Sequence, residues 1–382
     1  METNRKIKVM SILGTRPEII RLSRILPKLD KYADHVFVYT GQNFNYELSG
    51  IFFDELGLKK PDYNFDVKAD TVGGQIANII TKCEEVMISE APDAILILGD
   101  TNSALSAIPA KRLKIPIFHM EAGNRCFDEN VPEEINRKIV DHISDINLAY
   151  TENSRRYLIS EGLPLGDIFV TGSPLAEVLD YYKETIDSAD VLDRMGIKKG
   201  EYFLVSIHRE ENVENDPSFS AVIDALQAIA ASYSLPLIVT THPRTQKRIA
   251  SRDFNLNQLI KLQKPFGFMD YVKLEKNALC VISDSGTIQE ESAMLDFPAV
   301  QIRNSSERPE AFDAGTIILT GLDKDVILQS VALAIDQSKS KEVFDRPFGY
   351  QEMNVSSKIV RMIIGLSKII KQKKYRQASI KR

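Results

Sequence analysis

Three acidic side chains stand at the boundaries of predicted elements: two where a buried segment ends and one where a helix begins. Asp100 and Glu121 each follow a short apolar run, and Glu133 comes at the start of a helical pattern. Simpler explanations exist, because a carboxylate after a strand often caps the next helix, and Glu133 lies four residues before Arg137, the spacing of a helical ion pair. Since the acids occur at successive elements, we expect acid–base chemistry here.

Two of the five histidines also follow apolar runs, both in the second half of the chain. They are His208 and His242. A lone histidine at such a position is more often a structural hydrogen-bonding group, but the coincidence favours contact of His208 with a ligand, as a proton carrier or a phosphate contact. We interpret the other three, His35, His119 and His142, as structural.

Two segments have the residue types of an anion site. Arg16 and Arg21 flank the start of a helical pattern, where backbone N–H groups and guanidinium groups together suit a diphosphate; pairing of Arg16 with a surface carboxylate is the alternative. In the second half, Ser285 and Gly286 open a predicted helix and can hold phosphate oxygens, while Glu291 can bind both ribose hydroxyls. Because no Gly-x-Gly-x-x-Gly or Walker sequence occurs, a dinucleotide or ATP is not indicated.

The elements that carry these side chains are short runs rich in Val and Ile, with room for a helix between them, which is typical of a parallel sheet buried on both faces. In the first half the runs are Ile7–Leu13, His35–Thr40, Ala94–Leu98, Ile115–Met120, Ile146–Tyr150 and Ile168–Thr171. After a charged stretch they resume with Tyr202–Ile207, Leu235–Thr240, Leu259–Leu262, Leu279–Ser283 and Ala299–Ile302. We predict an α/β protein with two Rossmann-like, doubly wound domains, 1–175 and 176–355, then a C-terminal helix and basic tail, 356–382. Ligands of such folds bind in the cleft at the carboxyl ends of the strands.

The helix predicted around residue 133 also has a distinct apolar spacing. Pro132 suits the first turn of a helix. Ile135, Ile139 and Ile143 recur every four residues, which predicts that they line its buried face.

Composition and charge limit the class of protein. The 382 residues are 43% hydrophobic and carry a net charge of −5, which is typical of a globular protein and favours no contact with nucleic acid. Three distant cysteines without a Cys-x-x-Cys spacing argue against a disulfide framework and a zinc site.

No apolar run approaches the roughly 18 residues of a membrane span, so we expect a cytoplasmic protein without stable membrane insertion. The basic run from Lys368 to Arg382 is expected to be a solvated helix end, with contact to an anionic membrane as the alternative.

Eight short segments occur in an order that resembles the non-hydrolysing UDP-N-acetylglucosamine 2-epimerase family. They are Gly14–Glu18, Gly99–Thr101, Glu121–Gly123, Pro132–Arg137, His208-Arg209, His242-Pro243, Asp284–Glu291 and Glu307–Glu310. The resemblance spans nearly the whole chain. It implies a glycosyltransferase-B-like arrangement of two domains, a UDP-linked 2-acetamido sugar as substrate, no cofactor or metal, and a homodimer.

The resemblance also implies roles for individual side chains. The acid–base and ring-contacting groups would be Asp100, Glu121, Glu133 and His208, with Arg21 and Arg137 beside them. The contacts to UDP would be Arg16, His242, Ser285, Gly286, Thr287, Glu291 and Arg308.

The implied reaction needs groups of these types, because no carbonyl group adjoins carbon 2 of the sugar to acidify its proton. As the bond from carbon 1 to UDP breaks, positive charge develops on the ring and lowers the cost of removing that proton. A glycal-like alkene and UDP result, and readdition with the proton returning from the other face inverts carbon 2. Acids that reach both ring faces and cations at the diphosphate are therefore required.

The chain departs from the commoner family pattern in three places. Arg21 stands where a lysine is usual, Thr287 stands where a second glycine is usual, and Asn124–Asp128 has a variant sequence. The variant resembles UDP-N-acetyl-L-fucosamine synthases, which implies epimerisation of UDP-2-acetamido-2,6-dideoxy-L-talose for a capsule or O-antigen precursor. The alternatives are interconversion of UDP-N-acetylglucosamine and UDP-N-acetylmannosamine, a two-domain glycosyltransferase, and a nucleotide-sugar sensor without catalysis.

Overall fold

The computed structural model describes residues 5–41, 50–213, 215–241, 246, 248–249 and 256–376. Contacts divide the chain into two compact units: the first unit is Met1–Tyr181 with Phe348–Arg382, and the second unit is Tyr182–Pro347. The sequence had suggested boundaries after residues 175 and 355, and a separate C-terminal segment; the residues around both boundaries lie in the first unit instead. Among the described residues, no helix is long and apolar enough to cross a membrane.

The described part of the first unit is built on a seven-stranded parallel sheet. Its strands are β1 (Lys8–Leu13), β2 (Asp34–Tyr39), β3 (Tyr63–Asn64), β4 (Ala94–Leu98), β5 (Ile117–Met120), β6 (Ile146–Ala149) and β7 (Ile168–Val170). They lie in the order β3-β2-β1-β4-β5-β6-β7. Because the strands run in one direction, the loops that follow β1, β4 and β5 meet at one edge of this sheet.

Helices and short 3₁₀ turns connect these strands. They are α1 (Arg16–Leu22), α2 (Leu26–Tyr32), α3 (Gly50–Glu55), α4 (Val72–Glu90), α5 (Ala107–Arg112), α6 (Pro132–Ile143), α7 (Glu152–Ser160) and α8 (Leu175–Tyr181), with 3₁₀ turns at Asn102–Ser106 and Leu165–Asp167. Side-chain caps fix several starts: the Thr71 hydroxyl accepts the Gly74 N–H at α4, and the Thr151 hydroxyl accepts the Ser154 N–H at α7.

The second unit has a parallel sheet of its own, six-stranded in its described part. Its strands are β8 (Phe203–Ser206), β9 (Leu237–Thr240), β10 (Ile260–Gln263), β11 (Cys280–Ser283), β12 (Ala299–Gln301) and β13 (Ile318–Leu319). They lie in the order β10-β9-β8-β11-β12-β13. The prediction of two parallel-sheet α/β domains is confirmed.

The helices of the second unit alternate with these strands. They are α9 (Lys183–Ser188), α10 (Val191–Met195), α11 (Glu210–Val213), α12 (Asp216–Tyr233), α13 (Phe268–Asn277), α14 (Ile288–Leu295), α15 (Glu310–Asp313) and α16 (Lys324–Lys339). The helix that the sequence placed at Ser285 is α14, which begins at Ile288. The start was misplaced because Ser285 and Gly286 form a loop before the first turn.

The last helix of the described chain, α17 (Val355–Lys373), follows a 3₁₀ turn at Phe348–Tyr350 and packs against α2 in the first unit. Its basic end is held by acids of that unit. Lys371 Nζ lies 3.0 Å from Asp93 Oδ1, and Lys374 Nζ lies 2.7 Å from Asp167 Oδ2. At least these two charges of the basic run are therefore partly neutralised within the first unit.

The buried face of α6 is not the face that the isoleucine spacing predicted. Ile135 is 53% exposed and Ile139 is 39% exposed, and of the three isoleucines only the half-buried Ile143 packs against the core. The buried residues are Glu134, Arg137, Val140 and Asp141. Charged side chains occupy this face because each finds an opposite charge there, which offsets the cost of removing it from water. Apolar spacing alone could not reveal those partners.

Candidate active site

Asp100 lies in the loop after β4, and its carboxylate receives a guanidinium group from α6. Arg137 Nε donates to Asp100 Oδ2 over 3.0 Å, and Arg137 Nη2 contacts the same oxygen. Arg137 Nη1 also donates to Glu134 Oε2 over 2.7 Å. Thr101, not Asp100, holds the cap position of the following 3₁₀ turn. The structure therefore places Asp100 opposite a cation and does not support a capping role.

Glu121 follows β5 in a backbone conformation that is unusual for a residue with a side chain. Its φ is +62°, a conformation that costs on the order of 1–3 kcal/mol and concentrates at functional sites. Its buried carboxylate lies 3.7 Å from Arg21 Nε and accepts a 3.5 Å hydrogen bond from Asn124 Nδ2. Like Asp100, it faces an arginine.

Arg21 and Asn124 are themselves held in place. The Arg21 guanidinium lies 5.7 Å from the centre of the Tyr150 ring and donates to Ser173 Oγ over 3.4 Å. Asn124 Oδ1 accepts a 2.9 Å hydrogen bond from Ser154 Oγ. Two departures from the commoner family pattern thus lie against one carboxylate.

Glu133 is half-buried in the first turn of α6, one turn before Arg137. A carboxylate at this position is stabilised by the helix dipole. The next residue, Glu134, is the more deeply buried acid, and its carboxylate also accepts the Cys126 N–H over 3.2 Å. Sequence reasoning did not single out Glu134, because only the partners seen in the structure distinguish the two acids.

Glu18 is a further buried acid that the sequence reasoning left without a role. Its carboxylate accepts the N–H groups of Gly14 and Thr15, at 3.0 and 2.7 Å, and the Thr101 hydroxyl, at 3.1 Å. Burial raises the pKa of Glu18 to about 7. The spacing Thr15-x-x-Glu18 is the sequence signature of this capping box. Glu18 thus takes two backbone N–H groups at the start of α1, the helix start at which the sequence predicted a diphosphate. Arg16 is half-buried there, with its guanidinium 5.5 Å from the centre of the Phe52 ring.

In the second unit, Asp284 organises the loop after β8. Its buried carboxylate accepts the N–H groups of His208 and Arg209, at 3.1 and 2.9 Å, and Asn212 Nδ2, at 3.1 Å. His208 Nδ1 lies 3.2 Å from Asp284 Oδ1, and the histidine side chain is 43% exposed. A carboxylate in this position can orient an imidazole ring, as it does in catalytic triads.

The loop from Ser285 to Thr287 brings together most of the predicted UDP contacts. Ser285 Oγ and Thr287 Oγ1 are 2.9 Å apart, and Thr287 Oγ1 donates to Glu291 Oε2 over 3.0 Å. Arg308 donates to the Gly286 carbonyl oxygen. Packing there is so close that a Cβ atom on Gly286 would lie 2.7 Å from Arg308 Nη1.

A second acid adjoins Glu291. Glu275 of α13 is fully buried, and burial together with the Glu291 carboxylate raises the pKa of Glu275 well above its usual range. The pair therefore retains a proton to higher pH than an exposed carboxyl group would. The remaining predicted UDP contact, His242, lies outside the described residues.

Comparison with known proteins places this geometry in context. A family model described as UDP-N-acetylglucosamine 2-epimerase matches residues 28–364. The solved structure of UDP-N-acetylglucosamine 2-epimerase from Rickettsia bellii is similar, at 44% identity and a TM-score of 0.90 over 98% of this chain and 100% of that chain. The Methanocaldococcus jannaschii enzyme, in complex with UDP-GlcNAc and UDP, gives 36% identity and a TM-score of 0.87 over 94% and 99% of the two chains.

A relative that acts on another sugar lies at greater distance. The UDP-2,3-diacetamido-2,3-dideoxy-D-glucuronate 2-epimerase of Pseudomonas aeruginosa is 30% identical over 338 residues, which are 87% of this chain and 93% of that protein. All three relatives are named as 2-epimerases of UDP-sugars, and the P. aeruginosa enzyme differs from the other two in the sugar. The family model spans most of the chain, and both parallel sheets agree with it, so the chain belongs to the UDP-N-acetylglucosamine 2-epimerase family of isomerases.

Proposed function

We propose that the protein inverts carbon 2 of a UDP-linked 2-acetamido sugar by eliminating and re-adding UDP, and that its substrate is UDP-2-acetamido-2,6-dideoxy-L-talose. One observation carries the proposal: Asp100 with Arg137, and Glu121 with Arg21, stand at the ends of β4 and β5, which are neighbours in one sheet. Neighbouring strands lie about 4.8 Å apart. Two carboxylates on adjacent strand ends can therefore reach one sugar ring.

The reaction is balanced with these groups alone. A carboxylate accepts the carbon 2 proton, the electrons of that bond form the double bond to carbon 1, and the electrons of the carbon 1–oxygen bond leave with UDP. In the return step the UDP oxygen adds to carbon 1, and a second acid delivers a proton to the opposite face of carbon 2. Asp100, Glu121 and Glu133 are the candidate acids.

We assign the binding of the UDP leaving group to residues of the second unit. The hydroxyls of Ser285 and Thr287, the adjoining backbone N–H groups and the Arg308 guanidinium are donors suited to phosphate oxygens. Glu291 is assigned to the ribose hydroxyls. The relative from M. jannaschii, solved with UDP-GlcNAc and UDP, supports a nucleotide diphosphate as the ligand.

The 6-deoxy sugar is proposed because Arg21 and Asn124, two of the variant residues, both contact Glu121. A pocket shaped for a methyl group at carbon 6 leaves a hydroxyl there without a partner, at about 1–3 kcal/mol. That cost corresponds to roughly ten- to a hundredfold in kcat/KM. UDP-N-acetylglucosamine is the second candidate, since the relatives at 44% and 36% identity are named for it.

NMR of the purified protein with each UDP-sugar in deuterium oxide tests the reaction. Deuterium should enter carbon 2 of both epimers without added metal or nicotinamide. Recovery of product that retains its original hydrogen, or a requirement for NAD, contradicts the mechanism. Side-by-side kinetics then test the substrate, and a kcat/KM that is equal or higher with UDP-N-acetylglucosamine assigns the enzyme to the second candidate.

A further inference from the structure

Behind the acidic loops of the first unit lies a chain of buried polar and charged side chains that the mechanism does not use. His119 of β5 is fully buried, and its Nε2 atom lies 2.8 Å from the carbonyl oxygen of Gly99, the residue directly before Asp100. Its Nδ1 atom lies 2.9 Å from Asp141 Oδ1 on α6. His119 therefore connects the loop after β4 with α6.

Asp141 extends the connection to the loop after β5. Asp141 Oδ2 accepts the Gly123 N–H over 3.2 Å and Arg125 Nη1 over 2.7 Å. Gly123 lies two residues after Glu121, and its φ of +82° and close approach to Ser154 leave no room for a side chain. The backbone that carries Glu121 is thus fixed from behind by the same carboxylate that contacts His119.

Arg125 completes this chain of side chains, which we name the buried clamp and define as His119, Asp141 and Arg125. Arg125 is buried and forms two parallel hydrogen bonds with Glu161, of 2.7 and 2.6 Å. The His119 and Arg125 side chains lower the pKa of Asp141 below its usual range, although burial alone would raise it. The carboxylate thus stays charged at the centre of the clamp.

We propose that His119 and Asp141 are positioning residues that set the distance between the Asp100 and Glu121 carboxylates, an inference that rests on the proposed acid–base roles. The clamp holds Gly99 on one loop and Gly123 on the other, and Asp141 lies on the helix that also carries Glu133 and Arg137. Three elements of the site are therefore tied together at one buried point. A displacement of about 1 Å at such a point can cost on the order of a hundredfold in rate.

The chain provides a matched control in His35, a second buried histidine beside an aspartate. His35 Nδ1 lies 2.7 Å from Asp30 Oδ1, and His35 Nε2 lies 2.8 Å from Ser11 Oγ. His35 lies near the start of β2, whereas the acidic loops follow the ends of β4 and β5. The His35 side chain is buried and Asp30 is partly exposed, so His35→Gln removes a buried histidine from a histidine–aspartate pair without touching those loops.

The experiment compares His119→Gln, Asp141→Asn and their double variant with His35→Gln in the full-length enzyme. The clamp variants should lose about ten- to a hundredfold in kcat, with little change in KM or in the Kd for UDP, and the double variant should lose no more than the worse single variant. His35→Gln should keep the wild-type kcat. Equal kcat in the clamp variants and the control, at equal folded fraction, overturns the proposal.

A wild-type enzyme that epimerises no UDP-2-acetamido sugar would instead refute the proposed function. If the clamp variants do not fold, Asp141→Glu, which keeps the carboxylate but displaces it by one methylene group, replaces them in the same kinetics. Its kcat should fall while the Kd for UDP changes little. A wild-type kcat in this variant would overturn the inference.

Discussion

The candidate sites of the two units are organised by different interactions. In the first unit, carboxylates and guanidinium groups face each other, as in the pairs of Asp100 with Arg137 and Glu121 with Arg21. In the second unit, one buried carboxylate, Asp284, collects backbone N–H groups and shapes a loop of hydroxyl donors. Paired charges suit proton transfer, and a shaped donor loop suits binding of an anion. Substitutions should therefore change turnover in the first unit and affinity in the second.

The largest expected effect is on turnover. Asp100→Asn and Glu133→Gln should each lower kcat by at least about a hundredfold, the usual scale for a lost acid–base group. The Kd for UDP, measured by calorimetry, should change little, because neither residue belongs to the second unit. Near-normal turnover in either variant would return that residue to a structural role.

In the second unit, a substitution should weaken the binding of UDP and change turnover little. Gly286→Ala adds a Cβ atom 2.7 Å from Arg308 Nη1 and should displace that guanidinium. We expect the Kd for UDP to rise about tenfold, or about 1.4 kcal/mol. Gly365→Ala is the control, since a Cβ atom at this position of α17 meets nothing within 4 Å. A kcat loss at saturating substrate as large as that of Asp100→Asn would contradict the division between the units.

A pH-dependent effect on stability is expected from Glu18. Its folded-state pKa of about 7 exceeds the ordinary 4.5, so the native state holds the proton more tightly, and this stabilisation is present below pH 4.5 and lost as the pH rises through 7. The free energy of unfolding of wild type, relative to Glu18→Gln, should fall by at most about 1.4 kcal/mol per pH unit in that window. Urea unfolding at four pH values measures it, and parallel curves for the two proteins would contradict it.

The smallest effect is expected at the buried acid pair of the second unit. The pKa of Glu275 is raised by burial and by Glu291, so deprotonation as the pH rises places two repelling carboxylates at the proposed ribose contact. The affinity for UDP should fall in wild type as the rising pH deprotonates the pair, whereas Glu275→Gln should flatten this fall. Below that pH range the affinity of Glu275→Gln should stay within about threefold of wild type, or about 0.65 kcal/mol. Identical pH profiles for the two proteins would show that the pair does not share a proton.

Much of the fold follows from the sequence, because strands buried on both faces are continuously apolar. Ala94–Leu98 was predicted with the bounds that β4 has. The strands β3 and β13 have two residues each and lie at sheet edges, so they leave no apolar run to find. Short edge strands gain their structure from a neighbour that the local sequence does not contain.

The site was predictable only in part. Placement of Asp100 and Glu121 at neighbouring strand ends follows from the parallel topology. Their partners do not, because the Asp100–Arg137 pair spans 37 positions and depends on how α6 lies on the sheet. The isoleucine pattern indicated the opposite face of α6 as the buried one. That prediction would leave Asp141 exposed, so its contact with His119 could not be predicted from the sequence.

Because α17 belongs to the first unit but follows the second unit in the chain, the first unit can finish folding on the ribosome only after the second has been synthesised. The second unit is one continuous segment and can fold once residue 347 has emerged. The first unit begins earlier but finishes later, since the surface that Ile359, Ile363 and Ile370 cover stays bare until α17 is made. At about 5–20 residues per second, synthesis of residues 182–373 takes roughly 10–40 s. Throughout that time the nascent chain carries Asp100, Glu121 and Glu133 on an unfinished scaffold, and the second unit can be complete before the first.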